Sequence, residues 1–469
     1  MTDNLFDDFE SVSSKQWKQK IQVDLKGADY NDALVCHSRE DIDVRPFYHA
    51  DQFDKQPEPS GSKSTQWEIC QEIFVKSVTQ ANTKALNVLN RGAESILFVL
   101  PTEAVSVYHL LKNIKLSDTT VFFKMQFLSE AFINRLKNYL LHKNASVHLN
   151  IDLIGNLARS GNWFHDLKMD HEILEKVITH STDFKSVFSV DMSLYQNAGS
   201  TMVQELAYGL TQANEYLNYI NNNEGLNSII KESGIDKPLI NFNVSVGTNY
   251  FFEIAKLRAL KKLWKLLSTD YGFEKDCNLF VVPSKRNKTI YDYNTNMLRT
   301  TTECMSAILG GANTISNLPY DNIYHKDNEF AERIARNQLL VLKHESYFDQ
   351  VDNPSDGAYY IESLTDQLAE KALKLFKDIE ANGGLLKQLK EGTIQRKIKE
   401  SANKEQVAFD SGKEVLLGTN KHPNESDKMK ENMELYPFVK TNKRKTLIEP
   451  IIPNRLAEKL EQQRLKNEN

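Results

Sequence analysis

The chain has 469 residues, of which 40% are hydrophobic and 26% are charged. This balance excludes an intrinsically disordered or low-complexity chain, because enough apolar side chains are present to form a large core. The formal net charge is −5 at pH 7, and basic and acidic residues alternate through most of the sequence. A nucleic-acid partner is not expected from this pattern, since such proteins carry a clustered basic surface.

The sequence also predicts a cytoplasmic protein without a membrane partner. No apolar run approaches the roughly 18 residues that a membrane-spanning helix needs. The chain begins with the acidic sequence MTDNLFDDFESVSSKQW, which lacks the basic and apolar regions of a secretory signal. The four cysteines are far apart, so we expect small buried side chains and neither a disulfide nor a zinc site; they are Cys36, Cys70, Cys277 and Cys304.

Residues 1–65 are predicted to form an N-terminal arm and linker. The segment Trp17–Leu25 has amphipathic helical periodicity and ends at Gly27, as a helix C-terminus commonly does. Gln52–Thr65 contains two prolines and several serines and lysines, which is typical of a linker. This part of the chain is too short to bury a core of its own.

From Gln66 onward, short apolar runs alternate with segments of helical periodicity such as Glu205–Tyr219 and Tyr250–Leu267. Eight runs are predicted as strands: Trp67–Phe74, Ser95–Leu100, Thr120–Phe127, Val147–Ile154, Ser186–Met192, Leu239–Val246, Asn278–Val282 and Asn313–Leu318. Nearly continuous apolar strands between helices indicate a parallel sheet that is covered on both faces. Eight such units favour an α/β fold of the (β/α)8 TIM-barrel type, with an open doubly wound sheet as the alternative.

We assign residues 66–415 to the barrel domain and residues 416–469 to a short C-terminal extension with helical character. An apolar stripe from Leu364 to Ile379 ends at Gly383 and predicts a helix near the end of the barrel. The sequence beyond about residue 415 is polar, and its basic run Lys440–Lys445 is expected to be solvated.

General catalytic motifs are missing from the sequence. It contains no GxGxxG after a predicted strand, no P-loop, no HExxH and no GxSxG. His165 and His171 are six residues apart and do not share a helix face, so no metal site is predicted there. These patterns alone indicate an α/β barrel without assigning a reaction to it.

Several longer blocks resemble the methylmalonyl-CoA mutase family. They occur in the family's order over most of residues 15–425, and several of them are long and unusual. The blocks are Ile42–Tyr48 with Asp51, Phe251–Ala259, Asn296–Gly311, and Arg333–Gln338 followed by Val351–Glu362.

The resemblance implies a barrel that threads the pantetheine chain of a CoA ester through its axis. It also implies a reaction centre between the barrel and a separate cobalamin domain. The family's reaction is a radical rearrangement of the carbon skeleton, which the cofactor starts by homolysis of its Co–C bond. The protein contributes positioning, hydrogen bonds and exclusion of solvent.

Two departures from the catalytic pattern fall on residues that meet the substrate in catalytic subunits. Those subunits carry Arg-Gln-Tyr on the first barrel strand, where this chain has Cys70-Gln71-Glu72. A carboxylate at Glu72 repels an anionic acyl group, and Cys70 lacks the paired donors of arginine. At the end of the fifth strand the family reads Gly-Tyr-His-Met-Gln-Glu-Ala-Gly, and here Met192–Gly199 places Leu194 at the histidine position. Leucine neither donates a hydrogen bond nor transfers a proton.

The third departure concerns the cofactor. The family motif Asp-x-His-x-x-Gly, whose histidine ligates cobalt, does not occur in the 469 residues. Only about fifty residues follow the predicted barrel, whereas a usual domain has ~100–150. We therefore predict no catalytic, cofactor-binding or metal-binding residues in this chain, and we expect adenosylcobalamin to act through a large subunit.

Three charged residues of the retained blocks, Arg299, Glu303 and Arg336, are predicted to be structural. The resemblance implies that they form ion pairs which pack the last barrel helices, and a solvated helix face is the alternative. Gly310-Gly311 is predicted to end the preceding helix just before the eighth strand.

The resemblance and the departures together imply a small (beta) subunit that is itself non-catalytic and forms a heterodimer with a large catalytic mutase subunit. The complex would bind the CoA ester and interconvert (R)-methylmalonyl-CoA and succinyl-CoA. N-terminal arms in this family wrap the companion subunit, with packing on its own barrel as the alternative for this arm. Two other functions stay open: an active mutase barrel that uses a separately encoded cobalamin protein, and a free-standing CoA-ester binding protein.

Overall fold

The computed structural model describes residues 10–179, 184–232, 240–272, 276–440 and 443–468. The strands are β1 (Cys36–His37), β2 (Asp43–Val44), β3 (Glu68–Phe74), β4 (Ser95–Leu100), β5 (Thr120–Met125), β6 (Ser146–Ile151), β7 (Ser186–Asp191), β8 (Ile240–Val246), β9 (Asn278–Pro283) and β10 (Thr314–Ile315). β1 and β2 form an antiparallel ribbon in the arm. Strands β3 to β10 are parallel and close into a barrel. The closed barrel confirms the predicted fold and excludes the open sheet.

The helices alternate with the barrel strands and then continue into the C-terminal part. They are α1 (Ser14–Asp24), α2 (Tyr30–Leu34), α3 (Val78–Leu89), α4 (Val107–Leu110), α5 (Glu130–Leu140), α6 (Leu153–Ser160), α7 (Leu167–Ile178), α8 (Ser193–Asn197), α9 (Met202–Asn221), α10 (Glu224–Glu232), α11 (Tyr250–Asp270), α12 (Thr295–Leu309), α13 (Glu329–His344), α14 (Tyr359–Ala381), α15 (Gly384–Lys390), α16 (Thr393–Asp410) and α17 (Glu458–Asn467). Within the described ranges, none of these helices is long and apolar enough to cross a membrane.

Two of the predicted strands end early where other contacts take over. The fourth predicted strand, β6, ends at Ile151, because the Asp152 carboxylate accepts the backbone N–H of Gly155 and starts α6 instead. The eighth predicted strand, β10, keeps only Thr314–Ile315, because the chain turns away at Asn317, whose side chain donates to the carbonyl of Ala335 on α13. Leu239, predicted to begin another strand, lies outside the described residues.

A buried charge cluster joins the barrel to its outer helices. The Lys256 ammonium on α11 lies 2.9 Å from Glu205 on α9 and 2.7 Å from Glu253, and it donates to the Ser245 carbonyl on β8 at 2.6 Å. Burial raises the pKa of Glu205 to about 8, and the Lys256 charge opposes this rise. Removing Lys256 would leave two carboxylates buried without their counter-ion, so the cluster holds α9, α11 and β8 in one arrangement.

The C-terminal extension packs on the barrel along part of its length. Ile448, Ile451 and Leu456 are buried. The Ile451 N–H bonds the carbonyl of Ala158 at the end of α6, and the Leu456 N–H bonds that of Arg286 after β9. The extension thus lies over loops at the carboxyl ends of the strands. The basic residues 443–445 are exposed, as the sequence predicts for this run.

The second half of the arm is anchored on the barrel. The Glu40 carboxylate accepts the backbone N–H groups of Met202 and Val203 at 2.9 and 2.8 Å, which are unpaired donors of the first turn of α9. Ile42 is fully buried, and Arg39 forms an ion pair with Glu405 on α16 at 2.5 Å. This part of the arm therefore takes the alternative placement, on its own barrel.

The first half of the arm makes far fewer contacts. No residue of α1 is buried. Trp17 is 49% exposed and Val23 is 72% exposed, although the Trp17 ring meets Phe47 edge-on at 6.3 Å. The predicted amphipathic helix is present, but its apolar side chains lie mostly in solvent.

The cysteines follow the expectation in three positions of four. Cys70, Cys277 and Cys304 are buried, and all four thiols are free. Cys36 is exposed instead, because both residues of β1 lie at the surface of the arm. The prediction of a buried side chain is wrong for Cys36.

Removal of the Glu40 carboxylate, which caps α9, is expected to lower the stability of the protein. Glu40→Ala should lower the free energy of unfolding by about 2 kcal/mol, because two N–H groups of α9 lose a charged acceptor in a buried position. Urea unfolding measures the change. Glu58→Ala, in the exposed linker, is the matched control and should change stability by less than about 0.5 kcal/mol. Equal stability of the two variants would contradict the role of Glu40.

Candidate functional site

The carboxyl ends of the barrel strands surround a cavity of about 340 Å³, which we call the mouth cavity. This end of a (β/α)8 barrel carries the active site in enzymes of this fold. Strand alternation points every second side chain into the barrel, so charged and amide groups from many strands converge here. The polar residues that line the mouth cavity include Glu72, Lys124, Asn150, Arg159, Asp191, Asn243 and Lys285.

The structure brings two of the sequence-predicted positions together in the mouth cavity. Glu72 reaches it from β3, and Leu194 reaches it from α8, directly after β7. Leu194 is 3% exposed, and it presents an apolar wall where the resemblance places a histidine. Within the part of the chain that the structure describes, the Glu72 carboxylate has no hydrogen-bond or ion-pair partner.

Cys70 lies deeper, below the mouth cavity. It belongs to a separate apolar cluster inside the barrel with Leu97, Phe122 and Phe280. Burial raises the pKa of the Cys70 thiol far above its usual range, so the group stays protonated and unreactive. Cys70 therefore serves as a small apolar filler of the barrel interior.

Aromatic rings fill the barrel axis at this level. The Phe122 ring stacks on His148 at a centroid distance of 4.5 Å and meets Phe280 at 5.0 Å. Phe122 is fully buried and Phe280 is 2% exposed. The three rings come from β5, β6 and β9, so they close the axis from different sides.

Asparagine side chains fill the barrel interior next to these aromatic rings. The Asn241 amide donates to Asn150 and to Asn243, each at 3.1 Å, and Asn278 donates to Asn241 in turn. These bonds satisfy amide groups that would otherwise be buried without partners. Phe280, Asn150 and Asn243 thus line the mouth cavity on the side of the barrel interior.

A charged triplet forms one wall of the mouth cavity. Asp191 at the end of β7 lies 2.5 Å from Arg159 and 3.5 Å from Lys124, and it also accepts from the Ser193 hydroxyl. Burial by itself would raise the pKa of Asp191, but the two cations outweigh it and lower the pKa to about 2. The carboxylate is therefore ionised at neutral pH.

Lys285, from the loop after β9, also lines the mouth cavity. Nearby protein atoms partly desolvate its ammonium and lower its pKa, although Lys285 is exposed to solvent, while the Glu72 charge opposes this effect. No salt bridge or side-chain hydrogen bond of the Lys285 ammonium occurs among the described residues. Glu72 and Lys285 therefore face the mouth cavity without pairing directly.

Sequence reasoning missed this charged wall. The sequence predicts Thr120–Phe127 and Ser186–Met192 only as apolar strands, and Lys124 and Asp191 lie inside them. A charged residue within a nearly apolar strand of a barrel is a signal for a position that faces the barrel interior, because the outer face packs on helices. Arg159 offers no such signal, since it reaches the wall from α6.

The three structural residues of the family blocks lie away from the mouth cavity. Glu303 forms an ion pair with Lys288 at 2.8 Å, and burial raises the pKa of Glu303 while Lys288 opposes the rise. Arg299 instead donates to the Leu417 carbonyl at 2.7 Å.

Arg336 also binds neutral oxygens, donating to Gln71 on β3 at 3.1 Å and to the Arg91 carbonyl at 3.2 Å. In the described part of the chain, neither Arg299 nor Arg336 forms an ion pair. Of the three residues, only Glu303 forms the expected ion pair. The guanidinium groups of Arg299 and Arg336 donate to carbonyl and amide oxygens instead. The two arginines still join helices α12 and α13 to the C-terminal extension and to β3.

The mouth cavity does not fit the corrinoid that the resemblance implies. None of the described residues that line it is a histidine able to ligate cobalt. The described ranges also hold no group of three histidine, cysteine or acidic residues that could bind a metal ion. The volume is near the lower end of the ~300–1,000 Å³ typical of small-molecule sites. No step through the cofactor is therefore assigned to residues of this chain.

Because the His148 ring is buried, the free energy of unfolding is expected to decrease at acid pH. Burial lowers the pKa of His148 from 6.5 to about 3, so between these values the unfolded chain binds a proton that the folded protein does not. Stability must then fall with falling pH by about 1.4 kcal/mol per pH unit from this residue. His148→Phe should remove about 2 kcal/mol of the loss between pH 6.5 and pH 5, measured by urea unfolding.

The matched control for this prediction is His344→Phe, at an exposed position near the end of α13. Its pH profile should follow that of the unchanged protein. If His148→Phe gave the same slope as the control, His148 would not be buried in its neutral form.

Comparison with known proteins agrees with the sequence blocks. A family model described as methylmalonyl-CoA mutase matches residues 107–466. A methylmalonyl-CoA mutase small subunit from Porphyromonas gingivalis is 32% identical over 452 residues, which cover 90% of this chain and 71% of that protein.

Two longer relatives match over a smaller part of this chain. The methylmalonyl-CoA mutase of Rhizobium meliloti is 34% identical over 55% of this chain and 36% of its own length. The mitochondrial methylmalonyl-CoA mutase of Homo sapiens is 32% identical over 56% of this chain and 34% of its own length. The match thus spans about a third of these longer proteins. From its sequence blocks, its family match and its similarity to a small subunit over most of its length, this chain belongs to the methylmalonyl-CoA mutase family.

Proposed function

We propose that this chain is the small (beta) subunit of an adenosylcobalamin-dependent methylmalonyl-CoA mutase, and that it is itself non-catalytic. Residues 66–415 would be its barrel domain, and a large subunit would carry out the isomerisation of methylmalonyl-CoA to succinyl-CoA. The observation that carries the proposal is the closed barrel axis, where Phe122 lies between His148 and Phe280.

The closed axis supports the proposal that this chain does not bind the pantetheine chain of a CoA ester along its barrel axis. A pantetheine chain that runs along the axis needs an open path, and in this protein the path would cross buried aromatic rings. Opening it would require these rings to leave a packed core, at a cost of several kcal/mol for each large side chain. A CoA ester therefore cannot reach the mouth cavity through the barrel.

The mouth cavity supports the loss of chemistry. Leu194 offers no hydrogen bond to a thioester oxygen, and Glu72 would repel the carboxylate of a methylmalonyl group. Cys70 is buried and uncharged where the family carries an arginine. These are three substitutions at positions that meet the substrate in catalytic subunits.

The large subunit would supply both the cofactor site and the substrate site of the complex. This chain would then act by stabilising the folded large subunit, since a partner that binds only the folded state adds stability. The similarity to a small subunit from Porphyromonas gingivalis supports this partner. We place the complex in the cytoplasm.

Two alternatives predict different partners. An active mutase barrel would need a separately encoded cobalamin protein, and turnover would appear when the two are mixed. A free-standing CoA-ester binding protein would bind CoA esters without any partner. The closed axis and Leu194 count against both, because each alternative needs this barrel to hold a CoA ester.

The first expected outcome concerns turnover. The pure chain, mixed with adenosylcobalamin and methylmalonyl-CoA, should form no succinyl-CoA. The variant carrying Cys70→Arg, Glu72→Tyr and Leu194→His should also stay inactive, because Phe122 and Phe280 still close the axis. Product analysis by mass spectrometry measures this, with the native complex as the positive control. Turnover by the pure unmodified chain would contradict the proposal.

The exposed half of the arm is the proposed contact with the large subunit. Trp17 and Val23 are exposed on α1, whereas Glu40 and Ile42 are tied to this chain's own barrel. Apolar side chains on a short exposed helix are typical of a binding segment. Deleting residues 1–34 therefore removes the proposed contact and leaves the anchored half of the arm in place.

Deletion of residues 1–34, and the double change Trp17→Glu with Val23→Glu, should each weaken co-purification with the large subunit at least about tenfold, since two buried apolar contacts are worth roughly 1.4 kcal/mol or more. Val407→Glu, at a similarly exposed valine of α16, is the matched control and should bind normally. Unchanged affinity of the deleted chain would show that the arm is not the interface.

A further inference from the structure

A second cavity, of about 670 Å³, lies between the arm and the barrel, and we call it the arm cavity. It shares no lining residue with the mouth cavity. Residues 36–40 of the arm border it on one side, and the first residues of α9 and the loop before α11 border it on the other. Met202 and Phe252 supply apolar surface, while Thr248 and Asn249 at its edge are exposed to solvent. The volume lies within the ~300–1,000 Å³ that is typical of small-molecule sites.

Two buried oxygen atoms at the arm cavity have no partner. Ser200 is 8% exposed and Glu205 is fully buried, and both residues border the cavity. Within the described ranges, neither the Ser200 hydroxyl nor Oε1 of Glu205 has a hydrogen-bond partner. Buried polar atoms are rarely left in this state, so the two oxygens call for a donor that this chain does not itself supply.

Negative charge exceeds positive charge beside these two oxygens. Glu205, Glu253 and Glu40 border the cavity there, and the Lys256 ammonium lies between the first two. The Glu40 carboxylate is bound by backbone N–H groups of α9 and not by a cation. Burial raises the pKa of Glu205 to about 8, and the Glu253 and Glu40 charges add to the rise while Lys256 opposes it. A proton on Glu205 therefore takes the place of a missing cation.

The remaining charges of the arm cavity do not supply that cation. Arg39 and Arg286 both bind Glu405, at 2.5 and 2.6 Å, and His37 is engaged by Asp43. The carboxylates that border the cavity are Glu40, Glu205, Glu253, Glu405 and Glu414, whereas the cations are Arg39, Arg286, Lys413 and the adjacent Lys256. One further positive charge balances this set.

The size and the other polar groups of the cavity limit what carries the charge. The space is far larger than the ~30 Å³ that one water molecule takes, so it suits an organic molecule better than a bare ion. The described ranges hold no group of three acidic, histidine or cysteine residues that could bind a metal ion. Gln196 also borders the cavity, and its amide oxygen accepts from the Ser284 hydroxyl at 2.8 Å. In the described part of the chain its amide nitrogen has no acceptor, so a neutral oxygen of a ligand can accept from it.

We propose that the arm cavity binds a small primary amine with one positive charge, whose ammonium group donates to Glu205 and Ser200. The body of the amine packs on Phe252 and Met202, and a hydroxyl at its other end accepts from Gln196. Charge-assisted hydrogen bonds of this kind are the strong ones in proteins. The site goes beyond the proposed subunit role, because all its groups belong to this chain and none of them lies on α1.

The test titrates the purified full chain with 5-amino-1-pentanol, while sodium chloride keeps the ionic strength constant. Isothermal titration calorimetry should show saturable binding at one site per chain. 1,5-Pentanediol and 5-hydroxypentanoate have the same body with a neutral or a negative end, and neither should bind. Binding of either compound as tightly as the amine would overturn the proposal. Potassium chloride in place of sodium chloride should leave amine binding unchanged, and competition by potassium would overturn it by assigning the site to a bare cation.

The pH dependence of binding reports on the cluster of Glu205 with Glu40, Glu253 and Lys256. The ammonium must displace the proton of Glu205, and a primary amine with a pKa of about 10.5 stays charged in this range. Binding should therefore tighten about tenfold for each pH unit between pH 6 and pH 7.5, below the pKa of about 8. Calorimetry in two buffers of different ionisation enthalpy measures the released proton. Binding at pH 6.5 without proton release would overturn the proposal.

Matched variants locate the site. Glu205→Gln should weaken amine binding about tenfold or more, because it removes the charged acceptor. Ser200→Ala leaves the charge cluster in place and should weaken binding about threefold, since it removes a neutral hydrogen bond. Glu224→Gln removes an equal charge from an exposed position of α10 and should leave binding unchanged. Melting curves without ligand verify that each variant is folded.

Absence of saturable amine binding, or equal affinity of Ser200→Ala and the unchanged chain, would overturn the proposal. No large subunit is present in these experiments, so their failure would leave the proposed subunit role intact.

Discussion

The contact of Phe122 with His148 and Phe280 is the constraint on which the proposed function of this barrel depends. The interior of a barrel of eight parallel strands is just wide enough to be filled by side chains or to hold one narrow ligand. This chain fills it with aromatic rings and paired asparagines. A ligand path along the axis and a packed axis exclude each other, so the filling decides between a substrate-threading barrel and a supporting one.

Charged groups in this protein are arranged so that burial and pairing occur together. Lys256 lies between Glu205 and Glu253 outside the barrel, and Arg159 lies against Asp191 in the mouth cavity. In each case a lone partner would carry a large desolvation cost, which makes the helix positions interdependent. The mouth cavity differs in one respect, because Lys285 and Glu72 face it unpaired.

The family blocks persist mainly where they serve packing. Glu303 pairs with Lys288, and Arg299 and Arg336 bind carbonyl and amide oxygens that join α12 and α13 to neighbouring segments. These contacts hold α12 and α13 against neighbouring segments and need no catalytic role. The departures collect instead at Cys70, Glu72 and Leu194, in or below the mouth cavity. Retained packing with altered cavity chemistry is the pattern expected when a barrel keeps its fold and changes its role.

The sequence by itself determined the barrel and the positions of the departures. Apolar strand periodicity and the order of the helices are local properties, so they predict a (β/α)8 fold. The resemblance of Met192–Gly199 to the family segment locates Leu194. Only the tertiary structure decided that the axis is closed, because the rings of Phe122 and Phe280 come from strands far apart in the chain and meet only when the barrel closes. The anchoring of Glu40 on α9 depends on the same kind of long-range contact, which no local sequence pattern encodes.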